Sequence, residues 1–253
     1  MQSIHKILFS VLALPLAFAG GAARADGLAD LKAALVRLNV QAPVKGIIDL
    51  RTWQRPGNAP EPDQGQVALT IEDNADGLRL GYSRDMLARI DADQRARARD
   101  PDVKTPTLAA VRSFDTADML PMVSSATWLA RLLDRAVFKA ERSDAYAGKP
   151  ARLLTFEIPI TSLSKRERKY AKRVESLLEI WTAADGTPLA TRSAQTVFGR
   201  AFVVVSFEAR NEEENVFGVV HGRLITLRKT THSSASGAGE QDERKTVKTL
   251  QVL

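Results

Sequence analysis

Histidine and cysteine are the residue types that most often bind metal ions or act as nucleophiles, and this chain has few of them. It contains no cysteine, which excludes disulfides, thiolate metal sites and cysteine nucleophiles. His221 and His232 are the only histidines outside the N-terminal region, and neither belongs to an H-E-x-x-H motif. We therefore predict no metal centre and no cofactor, and we interpret both histidines as surface or rim residues.

The sequence also has few serine or carboxylate residues in arrangements that catalysis uses. Ser162–Lys165 has the S-x-x-K spacing, in which a lysine one helical turn away activates a serine, but the companion motifs K-T-G and S-D-N are missing. The chain also has no G-x-S-x-G motif. Acidic pairs such as Asp91 and Asp93 fall in polar segments, which lack the apolar surroundings that raise the pKa of a general acid. The sequence predicts a protein that is not an enzyme.

A dense group of cations lies in a predicted helical turn late in the chain. It consists of Lys165, Arg166, Arg168, Lys169, Lys172 and Arg173. One interpretation is a solvated helix surface. The other is a surface for anionic lipid headgroups or for a partner protein of the cell envelope.

An apolar helix face forms a second candidate feature. Trp128, Leu129 and Leu132 recur at helical spacing within Ala126–Arg135. This face either packs onto a sheet in the ordinary way or forms a lid over a lipid-sized cavity.

The N-terminal residues predict the location of the protein. Lys6 precedes an apolar run, Ile7–Phe18, and the small residues Ala23 and Ala25 form an A-x-A cleavage site. Residues 1–25 are therefore predicted to be a cleavable secretory signal peptide, and Asp26 to be the new N-terminus. Because no cysteine follows the run, the product is not lipidated. We expect a periplasmic protein, for which nucleic acid is not a partner.

Residues 26–253 are predicted to form one mainly β (α+β) domain. Alternating polarity predicts about nine or ten strands: Val44–Trp53, Gln66–Glu72, Gly77–Ser83, Val137–Ala145, Arg152–Ile160, Val174–Thr182, Pro188–Phe198, Ala201–Arg210, Val216–Lys229 and Thr246–Leu253. Helical spacing occurs in Leu28–Leu38, Arg84–Ala98, Leu108–Arg112, Ala126–Arg135 and the charged turn Leu163–Arg173. Residues 84–134 are interpreted as a helical insert or lid. Asn211–Asn215 is predicted to be a turn, and His232–Gln241 a mobile loop.

Short turns between successive strands predict a mostly antiparallel sheet, and a sheet of this size tends to curl. We expect a half-barrel with helices filling its mouth. The signal peptide, the leading helix Leu28–Leu38, the three strands after it and the helical insert together resemble the LolA/LolB-like superfamily of periplasmic lipoprotein carriers and lipid-binding proteins. The resemblance is architectural and covers nearly the whole of residues 26–253.

This resemblance implies that an acyl chain or another hydrophobic ligand binds in the concave face. The predicted cavity residues are Ile48, Leu50, Arg51, Leu69, Trp128 and Leu132. Each buried methylene would contribute about 0.8 kcal/mol, so one long chain would bind tightly without any catalytic group. The alternative is a non-enzymatic interaction module or sensor of the cell envelope, in which the protein's own side chains fill the cavity.

The predicted signal peptide gives a first testable outcome. Expression of the full chain in a bacterium with a general secretion pathway should yield a periplasmic product that begins at Asp26, because Ala23 and Ala25 match the specificity of the signal peptidase. Intact-mass measurement of the periplasmic fraction checks this. A product that retains residues 1–25 would contradict the prediction.

Overall fold

The protein is described by a computed structural model that covers residues 26–57, 59–114, 116–162, 165–201 and 205–253. The predicted signal peptide, residues 1–25, lies outside these ranges. The described strands are β1 (Val44–Arg55), β2 (Asp63–Asn74), β3 (Gly77–Gly81), β4 (Val137–Tyr146), β5 (Lys149–Glu157), β6 (Ala171–Thr182), β7 (Pro188–Ala201), β8 (Val205–Val220), β9 (Arg223–Gly237) and β10 (Glu240–Val252). The described helices are α1 (Gly27–Arg37), α2 (Arg84–Arg99), α3 (Pro106–Arg112), α4 (Met119–Val123), α5 (Ser125–Leu133) and α6 (Lys165–Tyr170).

All ten strands belong to one antiparallel sheet. Their order is β3-β2-β1-β10-β9-β8-β7-β6-β5-β4, so β3 and β4 are its two edges and the sheet is not closed. The last strand, β10, pairs with the first, β1, which places Ile48 opposite Leu250. The prediction of a mainly β, antiparallel protein is therefore confirmed.

The first strand shows how the sequence pattern positions one face of the sheet. Val44, Ile48 and Leu50 are buried and alternate with the exposed residues Lys45 and Arg51. This period of two places every second side chain on the face that α1 to α5 cover. The apolar core consequently lies between that face and the helices.

Helix α1 is attached to the far edge of the sheet through charged side chains. Asp26 caps its N-terminus by accepting from the N–H groups of Leu28 and Ala29. Glu141 of β4 accepts the N–H of Gly27 at 3.0 Å. Arg152 of β5 pairs with Asp30 of α1 at 2.8 Å. Helix α1 is therefore held against β4 and β5 by residues that are distant from it in the sequence.

Helices α2 and α3 are joined by an acidic cap. Asp93 of α2 accepts the backbone N–H groups of Thr107 and Leu108, at 2.8 and 3.1 Å, in the first turn of α3. Asp91, its predicted partner in an acidic pair, instead forms an ion pair with Arg95 at 2.8 Å. Both carboxylates thus stabilise the helical insert.

A buried ion pair connects two strands that are not neighbours in the sheet. Arg223, at the start of β9, binds the carboxylate of Asp73 on β2, although β1 and β10 lie between these strands in the sheet. In a flat sheet the two strands would be about 14 Å apart. Arg223 also donates to the carbonyl of Ala42 at 2.7 Å and to Ser124 Oγ at 3.1 Å. One guanidinium therefore links the sheet to the junction of α4 and α5.

Two predictions for the C-terminal third were wrong. Asn211–Asn215 is the middle of β8, and the turn lies at His221, which has φ 49°, and Gly222. The acidic residues remain in a strand because cross-strand cations pair with them; Glu213, for example, contacts Lys229 at 2.9 Å. His232–Gln241, predicted as a mobile loop, forms the end of β9, a tight turn and the start of β10.

The charged helical turn was also predicted too long. Helix α6 ends at Tyr170, and β6 begins at Ala171, so Lys172 and Arg173 lie on a strand that pairs with β7. Residues 163–164, at the start of the predicted turn, lie outside the described residues, as do residues 202–204 of the predicted strand Ala201–Arg210. Within the described ranges, no helix has the length and apolar character required to cross a membrane.

The pair between Arg223 and Asp73 yields a stability prediction. Replacing Arg223 with Met should lower the free energy of unfolding by about 3–5 kcal/mol, because it leaves the Asp73 carboxylate buried without its cation. Urea unfolding monitored by circular dichroism measures the change. Arg79→Met is the matched control, since the pair of Arg79 with Asp76 is exposed and should contribute about 0–1 kcal/mol. Equal losses in both variants would contradict a central role for Arg223.

Candidate functional site

The apolar half of the helix-covered face is filled by side chains of the helical insert. Ile48 and Leu69 pack in one cluster with Met119 and Met122 of α4. Leu50 packs in a neighbouring cluster that includes Met86 of α2 and Ala110 of α3. Ile48 and Leu50 are fully buried. The predicted ligand-cavity positions on β1 and β2 thus contact the protein's own helices.

The other predicted cavity residues lie elsewhere. Trp128 and Leu132 are half-buried on α5 and pack against a third cluster, formed with α1, β5 and β6. Arg51 points to the opposite face of the sheet, where 69% of its side chain is exposed and its Nε donates to Asp49 at 3.0 Å. The six positions therefore do not surround one cavity.

The predicted basic group is divided between a helix and a strand. Arg168, Lys169 and Lys172 are exposed, and the Lys169 ammonium lies 5.7 Å from the ring centroid of Tyr170. Arg173 is engaged twice, with Glu175 at 3.4 Å and over the ring of Phe198 at 4.1 Å. Lys165 and Arg166 belong to α6, but their side chains lie outside the described part of the structure.

Beyond the helices, the covered face opens into a cavity of about 560 Å³ whose lining is mixed and includes the apolar side chains of Val197, Ala209 and Ala235. Its walls come from β1, β7, β8, β9 and β10, and its polar side chains include Gln54, Gln195, Asn211, Ser233, Asp242 and Arg244. Strands β1 and β7 would be about 19 Å apart in a flat sheet, so a single cavity lined by both fits a sheet that curls around it. Amide, hydroxyl and guanidinium groups can donate and accept hydrogen bonds with a polar ligand.

A second cavity of about 550 Å³ adjoins the first. Gln54 and Arg244, which lie opposite each other on β1 and β10, line both cavities. The far wall of the second cavity contains Arg97 of α2 and Arg112 of α3. Among the described residues, Arg97, Arg112 and Arg244 have no ion-pair partner, whereas the nearby Lys104 is paired with Glu61. These three guanidinium groups are therefore available to a negatively charged ligand.

A third cavity, of about 400 Å³, lies between α1 and α5 and includes Leu35, Val36 and Ala130 in its lining. None of these three cavities of the described structure is lined by Ile48 or Leu69. The part of the covered face around Ile48 and Leu69 is therefore occupied, and of these three cavities only the second is mainly polar.

A buried charge network separates the filled half from the open half. Lys248 of β10 and Lys229 of β9 both point to Asp118, which immediately precedes α4, and Lys229 also contacts Glu213. Burial alone would raise the pKa of Asp118, but the hydrogen bond from Lys248 and the charge of Lys229 outweigh it and lower that pKa. The carboxylate therefore remains ionised and holds the insert against two nearly buried ammonium groups.

The opposite face of the sheet carries the second histidine. His232 Nε2 lies 2.9 Å from Glu243, and Nδ1 lies 3.6 Å from Glu212. The hydrogen bond with His232 lowers the pKa of Glu243, and the hydrogen bond with Arg210 lowers that of Glu212. The two carboxylates approach opposite nitrogens of the ring, so they cannot share one metal ion. No group of three or more His, Cys, Asp or Glu suited to a metal occurs in the described ranges.

Sequence reasoning did not identify the open polar half. Its residues lie on β1 and on the C-terminal strands, including segments predicted as a turn and a loop. Asn211 and Ser233 become neighbours only through the pairing of β8 with β9. Comparison of the chain with protein-family models, with curated proteins and with solved structures gave no match. Function is therefore inferred from the geometry of the chain itself.

The charge network predicts a specific pH dependence. Asp118→Asn should lower the free energy of unfolding by about 2 kcal/mol at pH 7, because the hydrogen bond from Lys248 then ends on a neutral group. The lowered pKa of Asp118 means that its contribution is present above about pH 4, the unfolded value, and is lost as the pH falls through the folded value.

The measurement is chemical denaturation of both proteins from pH 7 to pH 3. The difference between wild type and Asp118→Asn should shrink on acidification. Asp76→Asn, at an exposed carboxylate, serves as the control and should show a much smaller difference. A difference that grows as the pH falls would contradict the role assigned to Asp118.

Proposed function

We propose that the protein is a non-enzymatic binding module of the cell envelope that takes a polar, negatively charged ligand into the open half of its curled sheet. The observation that supports this most strongly is the pair of adjoining cavities that share Gln54 and Arg244, the second of which is mainly polar. Arg97 and Arg112, which have no ion-pair partner among the described residues, supply positive charge at one end. The other end offers amide and hydroxyl groups beside apolar side chains, and its carboxylates, Asp242 and Glu243, are already engaged by the N–H of Gly57 and by Arg55. An elongated polar molecule with at least one acidic group matches this distribution.

The apolar part of the covered face, which side chains of the insert already fill, supports a polar ligand over an acyl chain. A ligand bound through its acyl chain would have to displace buried side chains such as Met119 and Met122 from Ile48 and Leu69. Displacing them would expose apolar surface at about 25 cal/mol per Å². The envelope-module interpretation with a self-filled cavity is therefore favoured over the carrier interpretation.

Acyl-chain binding is the second candidate, and the methionines of the insert favour it. Met86, Met119 and Met122 all lie between the insert and the sheet, and methionine side chains adapt readily to flexible apolar ligands. In this alternative the insert moves away as a lid. A relationship to the LolA/LolB-like superfamily belongs to this candidate and is supported by the element order: one helix, three strands, the helical insert and seven further antiparallel strands.

The proposed site predicts that Arg244 contributes to anion binding. Isothermal titration calorimetry with citrate, glucuronate and inorganic phosphate should detect at least one ligand. Arg244→Gln should weaken binding of that ligand by about 10-fold to 100-fold, because a hydrogen bond to a charged group contributes about 1.5–3 kcal/mol. Arg79→Gln is the matched control, since Arg79 lies on β3 and pairs only with Asp76.

Native mass spectrometry of protein purified from the periplasm distinguishes the two candidates. A bound polar acid that is absent from the Arg244→Gln variant supports the proposed module. A bound phospholipid or fatty acid that is retained by the variant would overturn it in favour of the acyl-chain candidate.

A further inference from the structure

One edge of the sheet is long and uncovered. Strand β4 pairs only with β5, and its residues from Val137 to Ser143 are all exposed. The other edge, β3, has only five residues. An uncovered edge strand presents a row of N–H and C=O groups that can pair with another strand. No residue of β4 lines the two cavities that Gln54 and Arg244 share, so the inference does not depend on the proposed function.

The turn after β4 determines which backbone groups face outward. Ala147 and Gly148 have φ of 49° and 76°, the conformation of a two-residue type I′ turn. Tyr146 and Lys149, which flank this turn, therefore exchange hydrogen bonds with each other. Alternation along the strand then leaves the backbone groups of residues 145, 143 and 141 directed toward the open edge.

We propose that β4 pairs antiparallel with β4 of a second copy of this chain, about a twofold axis at Ser143, to form one continuous sheet. A symmetric pairing is possible only when outward-facing residues oppose outward-facing residues. Outward-facing residues occur at every second position, so two opposed ones are separated by an even number of positions. The twofold axis must therefore pass through a residue and not between two residues. The central candidates are Glu141, Arg142, Ser143 and Asp144.

Charge distinguishes these four registers. An axis at Glu141, Arg142 or Asp144 places two identical charges directly opposite each other, which destabilises a strand pair. An axis at Ser143 instead places Arg142 opposite Asp144 of the second copy, and does so twice. The interface is then self-complementary, as twofold symmetry requires.

Of the two charged side chains, Arg142 is largely exposed and Asp144 is 29% exposed. Within one chain, Arg142 and Asp144 approach only to 3.7 Å, and 67% of the Arg142 side chain is exposed. The N–H of Ala145 and the indole N–H of Trp181 lower the pKa of Asp144, so this carboxylate is charged at neutral pH. The Trp181 contact, at 3.1 Å, also holds the carboxylate in place on the strand.

The dimer is expected to be weak and concentration-dependent. Exposed ion pairs contribute little, and one pair of short strands buries less than the roughly 1,200 Å² of a stable interface. Most of the affinity comes from the backbone hydrogen bonds, and the charges select the register. A dissociation constant of about 10–100 µM is the corresponding range.

Sedimentation velocity of the exported chain over this concentration range tests the proposal. Wild type should shift from monomer to dimer. Arg142→Asp and Asp144→Arg should each raise the dissociation constant at least about 10-fold, since each places like charges opposite each other. The double exchange R142D/D144R should restore it to near the wild-type value, because the charges are complementary again.

Ser143→Pro provides a variant that does not depend on the charges. The N–H of Ser143 faces the open edge, so proline in both copies removes the two hydrogen bonds between the Ser143 residues of the dimer and none of the monomer. This variant should be monomeric, with an unchanged midpoint of thermal unfolding. The proposal would be overturned by a wild-type chain that stays monomeric at about 100 µM, by a dimer that persists in Ser143→Pro, or by a double exchange R142D/D144R that does not restore dimerisation.

Discussion

The ion pair between Arg223 and Asp73 joins strands that two others separate in the sheet, a contact that fits a curled sheet. A curled sheet with ten strands has an inner face that must be either covered or exposed to water. The chain covers one part with α1 to α5, whose apolar side chains meet those of the strands. The Ser124 contact of Arg223 places the junction of α4 and α5 against the same end of the sheet. The guanidinium group of Arg223 therefore contacts both the sheet and the helices that cover it.

The other part of the inner face is open, and α2 and α3 border it only at one side. Lys248 and Lys229, both nearly buried, meet the half-buried Asp118 at the boundary. On one side of this boundary the side chains are mainly aliphatic or methionine. On the other side, amides, hydroxyls and arginines lie beside carboxylates and small apolar side chains.

The sequence predicted the early elements well because their signals are local. Val44, Ile48 and Leu50 alternate with polar residues in β1, and α1 has a clear helical pattern that begins after the cap Asp26. The middle of β8 could not be predicted in this way. Its Glu213 is stable in a strand only because Lys229 lies on the neighbouring strand, a contact that no local pattern encodes. The candidate site fell largely in these segments, so its location depended on strand register and was not visible in the sequence.

The packing around Ile48 and Leu69 favours an insert that is a permanent cover and not a lid. Native-state hydrogen exchange of the backbone amides of β1 and β2 beneath α2 to α4 distinguishes the two. Under a permanent cover, the slowest amides around Ile48 and Leu69 exchange only through global unfolding, with a free energy equal to that from urea denaturation. Exchange of these amides together with the insert, at a free energy well below the global value, would instead reveal an opening lid.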